Sequence, residues 1–212
     1  EKRIISAHRY PIGMLPLAAA IHSGNPVVLQ ILLKKGAKIV HDPSTGDLPL
    51  ITCMGEILAQ HEQEDVEKKV KYREIFRQLL AAQPDLANKK DEKSAPLFYA
   101  ANASDEELIV QLLKAGADPN IRDAKKNTSP LYIAAERGNV GNIKALITAK
   151  ANIDDYTVIG ATALYIASAK GHSDAVKLLL EAGADRHLAV RDDNGLVQAP
   201  LVIADKNKHD NV

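Results

Sequence analysis

The chain has no tryptophan, and aromatic residues make up only 4% of its 212 positions. That scarcity excludes a core built on large rings and fits helices packed through Ala, Leu, Ile and Val. Cys53 is the only cysteine, so an internal disulfide is excluded and a reducing compartment is favoured. No apolar run approaches the ~18 residues of a membrane span. No charged start precedes an apolar stretch, so no secretory signal is predicted.

An excess of one charge is also missing, because Lys plus Arg and Asp plus Glu number 27 each. Such a chain creates no overall field that would attract nucleic acid or an anionic membrane, and we expect it to bind neither. The histidines are scattered, and no glycine-rich phosphate loop precedes a helix. We therefore expect no metal, no cofactor and no small-molecule substrate.

What the chain does contain is a repeat, in which x-Pro-Leu is followed by small residues and an amphipathic run. The motif recurs at Pro16, Pro49, Pro96 and Pro130, with Ala163 in the same slot and Pro200 at the start of one more copy. Subtracting positions gives intervals of 33, 47, 34, 33 and 37 residues. A period near 33, which three of the five intervals match to within one residue, is typical of stacked repeats.

Each copy has the residues that a pair of helices needs. Proline at the first helical position has a preset φ and no N–H to leave unsatisfied. Good capping side chains for the second helices are predicted at Asn25, at Ser104-Asp105 and at Asn139. Those helices are predicted to end at a left-handed glycine, namely Gly36, Gly116 and Gly183. Lys150 stands in that glycine slot, and the spacing predicts a left-handed backbone for it as well.

The copy Thr162-Ala163-Leu164-Tyr165-Ile166-Ala167 follows the pattern Thr-Pro-Leu-His-x-Ala, and the chain resembles the ankyrin-repeat family over nearly its whole length. The resemblance implies an all-α solenoid of stacked helix-turn-helix units joined by hairpin-like loops. One domain over residues 1–212 is expected, with about five repeats and a partial C-terminal one. The copies start near residues 15, 48, 95, 129 and 162, and the partial copy starts near 199.

The copy that starts near residue 48 is 14 residues longer than its predecessor. The added segment has acid-first i,i+4 pairs at Glu64/Lys68, Asp65/Lys69 and Glu67/Lys71, which favours a lengthened helical hairpin at residues 55–80. Two interpretations stay open. The segment is either a solvated extension, which we favour, or a docking wedge that uses Val66, Val70 and Tyr72.

Two single residues also leave alternatives. Cys53, with His41 and His61 nearby in sequence, could be a catalytic nucleophile, but it occupies a slot that alanine fills in other copies, which favours a buried structural thiol. Asn120 resembles the hairpin asparagine that is hydroxylated in some ankyrin repeats. Its other interpretation, which we favour, is a turn asparagine that bonds its own backbone.

The resemblance implies a non-catalytic module that grips a protein partner, of unknown identity, with its inner helices and hairpin tips. Phe98, Tyr132 and Tyr165 stand in the family's histidine slot and are predicted to be half-buried packing residues. Aromatic, apolar and arginine side chains favour hot spots, which concentrates the expected site in the centre and C-terminal part. The predicted partner-binding residues are Tyr99, Asn102, Arg122, Asp123, Lys125, Ile133, Glu136, Arg137, Tyr156, Ile166 and Lys170.

A second hypothesis makes the chain the targeting or substrate-recruiting region of a larger protein, such as a bacterial effector that acts in a host cell, with any enzymatic domain outside these residues. The start at Glu1 and the short last copy favour a piece of a longer chain. We expect a monomer in the cytoplasm, or in the host-cell cytosol if the protein is a secreted effector. An enzyme within the segment would need a titratable cluster, which the sequence does not show.

Overall fold

The computed structural model describes residues 16–40, 48–59, 66–90, 94–103, 105–188, 190–191 and 197–198. The chain divides into two compact units, residues 1–91 and 92–212. The first unit has two pairs of helices followed by a 3₁₀ turn at Pro84–Asn88. Its helices are α1 (Pro16–His22), α2 (Pro26–Lys34), α3 (Pro49–Ala59) and α4 (Val66–Ala82). The start of the predicted partial copy near residue 199 lies outside the described residues.

The second unit repeats the same helix pair three times over its described residues. The inner helix α7 packs on α5, α9 and its own partner α8, and α8 packs on α6 and α10. Two short antiparallel strands, β1 (Val190–Arg191) and β2 (Val197–Gln198), follow the last pair. The helices are α5 (Pro96–Asn102), α6 (Glu106–Lys114), α7 (Pro130–Glu136), α8 (Val140–Thr148), α9 (Ala163–Lys170) and α10 (Ser173–Glu181).

The helix starts follow the sequence in part. Asn25 caps α2 as predicted, since its Oδ1 accepts from Val28 N at 3.1 Å. At Asp105 and Asn139 the prediction is wrong, because neither side chain makes a capping hydrogen bond. Ser104 lies outside the described residues. The Asn139 amide instead donates to Ala103 O at 3.0 Å. That amide ties α8 to the end of the preceding inner helix rather than to its own first turn.

The helix ends have the left-handed residues that the sequence predicts, at three glycines and at one lysine. Gly36, Gly116 and Gly183 have φ of 83°, 90° and 95°, and Lys150 has φ of 68°. Ala151 N donates to Leu146 O at 3.0 Å, the bond that closes this kind of helix end. The left-handed prediction for Lys150 is confirmed, so a side chain with a Cβ occupies a conformation that favours glycine.

Cys53 lies in the core of the first unit with no exposed surface. Its thiol donates to Tyr72 O at 3.1 Å. Burial, followed by the Glu56 carboxylate, raises the pKa of the thiol far above its ordinary value. The structural interpretation of Cys53 is therefore confirmed, because a thiol that stays protonated and buried is a poor nucleophile. His41 and His61 lie outside the described residues.

The helices of the long copy are longer than their counterparts, with 11 residues in α3 and 17 in α4. Lys68 pairs with Glu56 of α3 at 3.1 Å, and the predicted Glu67/Lys71 pair forms at 2.7 Å. Glu64 and Asp65 lie outside the described residues. A protruding hairpin stays a prediction.

Tyr72 is only 1% exposed, so its predicted place on a docking wedge is wrong. Its hydroxyl donates to His22 O, at the end of α1, at 2.9 Å. The ring is needed inside the unit, where it joins α4 to the preceding inner helix. Val66 and Val70 remain 72% and 59% exposed, so two of the three wedge residues are accessible.

The second unit is held together by small residues and by buried amides. Ala100, Ala134 and Ala167 have no exposed surface, which lets neighbouring inner helices approach closely. Asn142 of α8 is 1% exposed and donates to Ala100 O and Ala103 O at 3.0 and 2.7 Å. A buried amide with its donors satisfied fixes the register of one repeat on the next.

Candidate functional site

An apolar groove of about 730 Å³ lies in the second unit, between α5, α7 and the turns that precede α7 and α9. Helices supply its floor, one turn supplies an apolar wall, and the other turn supplies a charged rim. Its lining consists of Ser94, Phe98, Tyr99, Asn102, Asp123, Lys125, Lys126, Thr128, Tyr132, Ile133, Glu136, Thr157, Val158 and Ile159.

The floor is made by equivalent positions of two successive repeats. Pro96 and Pro130 start α5 and α7, so Phe98 and Tyr132 occupy the same slot, and Tyr99 and Ile133 occupy the next one. Phe98 is buried, and the other three side chains are half-buried. Burial, then the Glu136 carboxylate, then Tyr165 raise the pKa of Tyr132. The floor is thus apolar, and the Tyr132 phenol is held in its neutral form.

Val158 and Ile159 form the apolar wall and are 69% and 61% exposed. They stand in the turn before Gly160, whose φ is 83° and whose N–H donates to Thr157 O at 2.8 Å. Val158 N donates to Lys126 O at 3.1 Å, which joins this turn to the previous one. The wall is therefore fixed in place while both of its side chains face water.

The charged rim is the turn at residues 123–128. Asp123 Oδ1 accepts from Lys125 N and Lys126 N at 3.0 and 2.7 Å. Asn127 has φ of 54°, and its N–H donates to Asp123 O at 3.0 Å. Asparagine tolerates this conformation better than most residues do. The turn is closed by its own hydrogen bonds, and both lysine side chains are exposed.

Arg122 locks the two turns together. Its guanidinium forms an ion pair with Asp155 and donates to Asn127 O and Tyr156 O at 2.9 and 2.8 Å. Asp155 is only 7% exposed, so this hairpin residue adds almost nothing to the surface. A buried carboxylate needs its cation, and the Arg122 side chain is already engaged in that pair. A partner-binding role for Arg122 stays a prediction.

The structure brings some of the predicted site residues together and leaves others apart. Arg137 lies at the groove edge, where its Nε donates to Asn102 Oδ1 at 2.8 Å. Tyr156 is 60% exposed on the neighbouring turn. Half-buried Ile166 and exposed Lys170 lie on α9 and are not among the lining residues. Those that line the groove are Tyr99, Asn102, Asp123, Lys125, Ile133 and Glu136.

Sequence reasoning missed the apolar wall. Val158 and Ile159 stand in a loop, and the repeat pattern gives loop positions no packing role. The available signal was two consecutive aliphatic residues before Gly160, at a place where a turn is ordinarily polar. Phe98, Tyr132 and Tyr165 are buried or half-buried as predicted, and the first two also form part of the groove floor.

Two further surfaces of the described residues compete with the groove. A cleft of about 420 Å³ lies between the outer helices α6 and α8, with Lys114 and Lys144 among its lining residues. On the first unit, Val66 and Val70 of α4 are exposed. Neither surface combines a half-buried aromatic floor with an apolar wall.

Asn120 bonds backbone on both sides of its amide. Its Oδ1 accepts from Asn152 N at 2.7 Å, and its Nδ2 donates to Lys150 O at 3.4 Å. The interpretation as a turn asparagine that bonds its own backbone is wrong, because both side-chain bonds join this hairpin to the next one. Hydroxylation of Asn120 stays a prediction.

The part of the chain that the structure describes holds no group of three or more His, Cys, Asp and Glu side chains able to bind a metal ion. Within the same ranges, every helix is too short or too polar to span a bilayer.

Comparison with known proteins gives a consistent match. Residues 97–190 match the family model described as ankyrin repeats in three copies. The chain is 30% identical over 125 residues to the NF-kappa-B inhibitor alpha of Sus scrofa, covering 56% of this chain and 40% of that protein. It is 39% identical over 94 residues to the ankyrin repeat and SOCS box protein 2 of Bos taurus, covering 42% and 14%.

A third relative, the E3 ubiquitin-protein ligase KEG of Arabidopsis thaliana, is 37% identical over 89 residues, covering 42% of this chain and 5% of that protein. The chain thus spans less than half the length of each of these relatives. The crystal structure of EF0377, an ankyrin repeat protein, matches with a TM-score of 0.73 at 24% identity over 96% of both chains. That last likeness shows the same fold.

Proposed function

Because the chain belongs to the ankyrin-repeat family, we propose that it is a non-catalytic module that binds a protein partner through the groove between α5, α7 and the two turns. Ankyrin repeats are in general protein interaction modules, and one relative is named as an inhibitor of another protein. The partner side chains of this module are Tyr99, Asn102, Ile133 and Glu136 on the helices, with Asp123 and Lys125 on the rim.

The observation that carries the proposal is the exposed apolar wall beside a half-buried aromatic floor. Val158 and Ile159 expose 69% and 61% of their surface although the turn that holds them is fixed. Exposed apolar clusters with a polar border mark interaction surfaces. Tyrosine at the centre of such a surface supplies large contact area at low entropic cost.

A polypeptide segment fits this groove better than a compact ligand does. Its volume of about 730 Å³ falls within the roughly 300–1,000 Å³ of small-molecule pockets. However, one wall stands largely in solvent, and a small molecule on the floor would leave that wall wet. A segment of chain that runs between the two turns covers floor and wall together.

The test compares two pairs of exposed aliphatic residues in one capture experiment. Immobilised protein captures partners from a lysate, which mass spectrometry identifies, and the capture is repeated with V158E/I159E and with V66E/V70E. The pairs are matched in exposure, at 69% and 61% against 72% and 59%. Because these side chains face water, both variants should fold like the wild type, which circular dichroism checks.

We expect the V158E/I159E variant to lose the captured partner and the V66E/V70E variant to keep it. The opposite pattern would move the binding surface to α4 and would revive the docking interpretation of the long copy. Equal capture by all three proteins would refute the groove as the binding surface.

A second candidate function follows from how little of its relatives the chain spans. The matched relatives contain the similar region as 5% to 40% of their length, so this chain could serve as the recruiting region of a larger protein, including a bacterial effector. The full-length open reading frame decides between the two. A catalytic domain encoded in it would make the groove a substrate-recruiting surface.

The proposed location is the cytosol, of the cell itself or of a host, because a single buried free thiol suits a reducing compartment. A monomer is proposed as well, since the groove is to receive a different chain. Light scattering coupled to size exclusion tests the monomer, and a mass of twice 22.9 kDa would contradict it.

A further inference from the structure

We infer that the segment bound in this groove is an extended peptide that carries an acidic side chain two residues from a bulky apolar one, with the carboxylate on Lys125 and Lys126 and the apolar side chain against Val158 and Ile159. The inference rests on the proposed function and adds the chemistry of the partner.

The rim at residues 123–128 carries an uncompensated positive charge. Neither Lys125 nor Lys126 forms a side-chain ion pair with any described residue. The rim's one carboxylate, Asp123, is already engaged by the two backbone N–H groups that close the turn. A carboxylate from outside is therefore the group that completes this rim.

The end of the groove that lies opposite the rim carries no net charge that a partner could pair with. Glu136 and Arg137 stand side by side there with opposite signs, and the Arg137 guanidinium is bonded to Asn102 at 2.8 Å. The charge asymmetry of the groove thus lies at the lysine turn. A partner is oriented by one acidic residue rather than by a charge at each end.

The spacing of the two partner side chains follows from the contact between the turns. Val158 N donates to Lys126 O at 3.1 Å, so the apolar wall begins directly beside the lysines. In an extended chain, side chains two residues apart lie on the same face, separated by roughly 6.6 Å. An acid and a bulky apolar residue at i and i+2 therefore reach the rim and the wall together.

The binding elements are fixed before any partner arrives. The Asp123 turn, the Arg122–Asp155 ion pair and the Asn127 Nδ2 bond to Tyr156 O at 3.1 Å hold both turns. Lysine side chains still lose rotamer freedom on binding, but the backbone that carries them does not need to be ordered. Charge pairing at this rim should then discriminate between peptides.

A random peptide library displayed on phage, selected against the immobilised protein, tests the inference without a known partner. Enriched sequences are synthesised with a fluorescent label, and their dissociation constants are measured by polarisation against four proteins. These are the wild type, V158E/I159E, K125E/K126E, and the control K114E/K144E. Lys114 and Lys144 are exposed lysines on α6 and α8, beside the outer cleft.

We expect Asp or Glu to be enriched two positions from Phe, Leu, Ile, Tyr or Trp. K125E/K126E should weaken such a peptide on the order of tenfold, and K114E/K144E should leave it within about twofold. Replacing the acidic residue of the peptide by Lys should restore binding to K125E/K126E. Restored binding of this kind identifies the charge contact itself, which a merely misfolded variant could not produce.

Two outcomes overturn the inference, and they differ in what else they remove. Peptides that lose binding to V158E/I159E but carry no acidic residue, or that ignore K125E/K126E, refute the acidic chemistry and leave the proposed groove intact. A selection that enriches nothing, or peptides that bind V158E/I159E as well as the wild type, refutes both.

Discussion

In residues 16–90 a phenol ties an outer helix to the preceding inner helix, whereas in residues 94–188 amides and an imidazole make the equivalent tie. Tyr72 donates to His22 O at 2.9 Å, and His172 Nε2 lies 3.1 Å from Glu136 O. Glycine follows both inner helices, because a Cβ at Gly24 would lie 3.2 Å from the Tyr72 ring and one at Gly138 only 2.7 Å from His172 Nδ1. The space left by the missing Cβ of glycine is thus filled by a tyrosine ring in the first unit and by a histidine ring in the second.

The position of Tyr72 within α4 shows where the extra residues of the long copy are added. His172 immediately precedes α10, whereas Tyr72 is preceded by the first six residues of α4, residues 66–71. The added turns therefore come before the tie, next to the end of α3, where Glu56 and Lys68 pair. The extra residues lie outside the segment that Tyr72 joins to α1, so the core of the first unit keeps the same helix packing as the other repeats. The regular second unit carries the groove instead.

The largest effect should come from removing the phenol tie. Tyr72→Ala deletes a ring that is 1% exposed, and we expect a loss of about 3–5 kcal/mol in the free energy of unfolding. His172→Ala in the second unit removes a half-buried ring and should cost about half as much. Urea unfolding followed by circular dichroism measures both. Equal costs would show that the two ties do not differ as described.

A second prediction compares the ion pairs that join separate segments in each region. Asp155→Asn should cost about 2–3 kcal/mol, because Arg122 would keep a half-buried charge without its carboxylate. Glu56→Gln removes the Lys68 pair, whose side chains are 33% and 42% exposed, and should cost at most about 1 kcal/mol. The same denaturant series measures both, and a cost for Glu56→Gln as large as that for Asp155→Asn would contradict the assignment of the Arg122 pair as the structural one.

A third prediction uses the helix ends. Lys150→Gly should stabilise the protein by up to about 1 kcal/mol, since φ at Lys150 is 68° and glycine relieves the strain. Gly36→Ala, at φ of 83° in the first unit, should destabilise it by a similar amount although nothing lies within 4 Å of the added Cβ. Thermal melts of the two variants check the opposite signs, and a Lys150→Gly variant that melts earlier would remove the strain argument.

The smallest effect concerns alkaline pH and two described residues, one in each region, whose pKa is raised. Burial raises the pKa of Cys53 in the first unit and of Tyr132 in the second. For such acids, stability is complete below the unfolded pKa, about 8.5 for a thiol and 10 for a phenol, and falls as pH rises above it. Cys53→Ala should flatten the decline from about pH 8.5, and Tyr132→Phe only above about pH 10. Unfolding free energies measured from pH 7 to 11 test this, and unchanged slopes would contradict both assignments.

The sequence was sufficient for the repeat, its helix starts at proline and its left-handed ends, because those depend on local backbone preferences. Lys150 was predictable in this way. Asn139 was not, because an asparagine before a helix can cap it or reach another repeat, and only the packed structure decides. The prediction for Tyr72 was wrong for a related reason. A charged helical run indicates a solvent-exposed face, but it does not show which single side chain points into the core.

The groove was predictable in part. Its floor follows from repeat positions, and the repeat pattern predicts both Tyr99 and Ile133 as site residues. Its wall depends on how the turn before α9 folds onto Lys126 O, a contact between residues 32 positions apart that no local pattern encodes. The residue type of Arg122 predicts a hot spot, whereas its ion pair with the buried Asp155 also gives it a structural role.

The central claim, that a partner segment lies between α5, α7 and the two turns, is tested most directly by solution NMR of the labelled protein titrated with a peptide from the selection. We expect amide shift changes to concentrate at Tyr99, Ile133 and residues 123–128 and 157–159, with α2, α4, α6 and α8 nearly unchanged. Shift changes centred on the cleft between α6 and α8, or on Val66 and Val70, would contradict it.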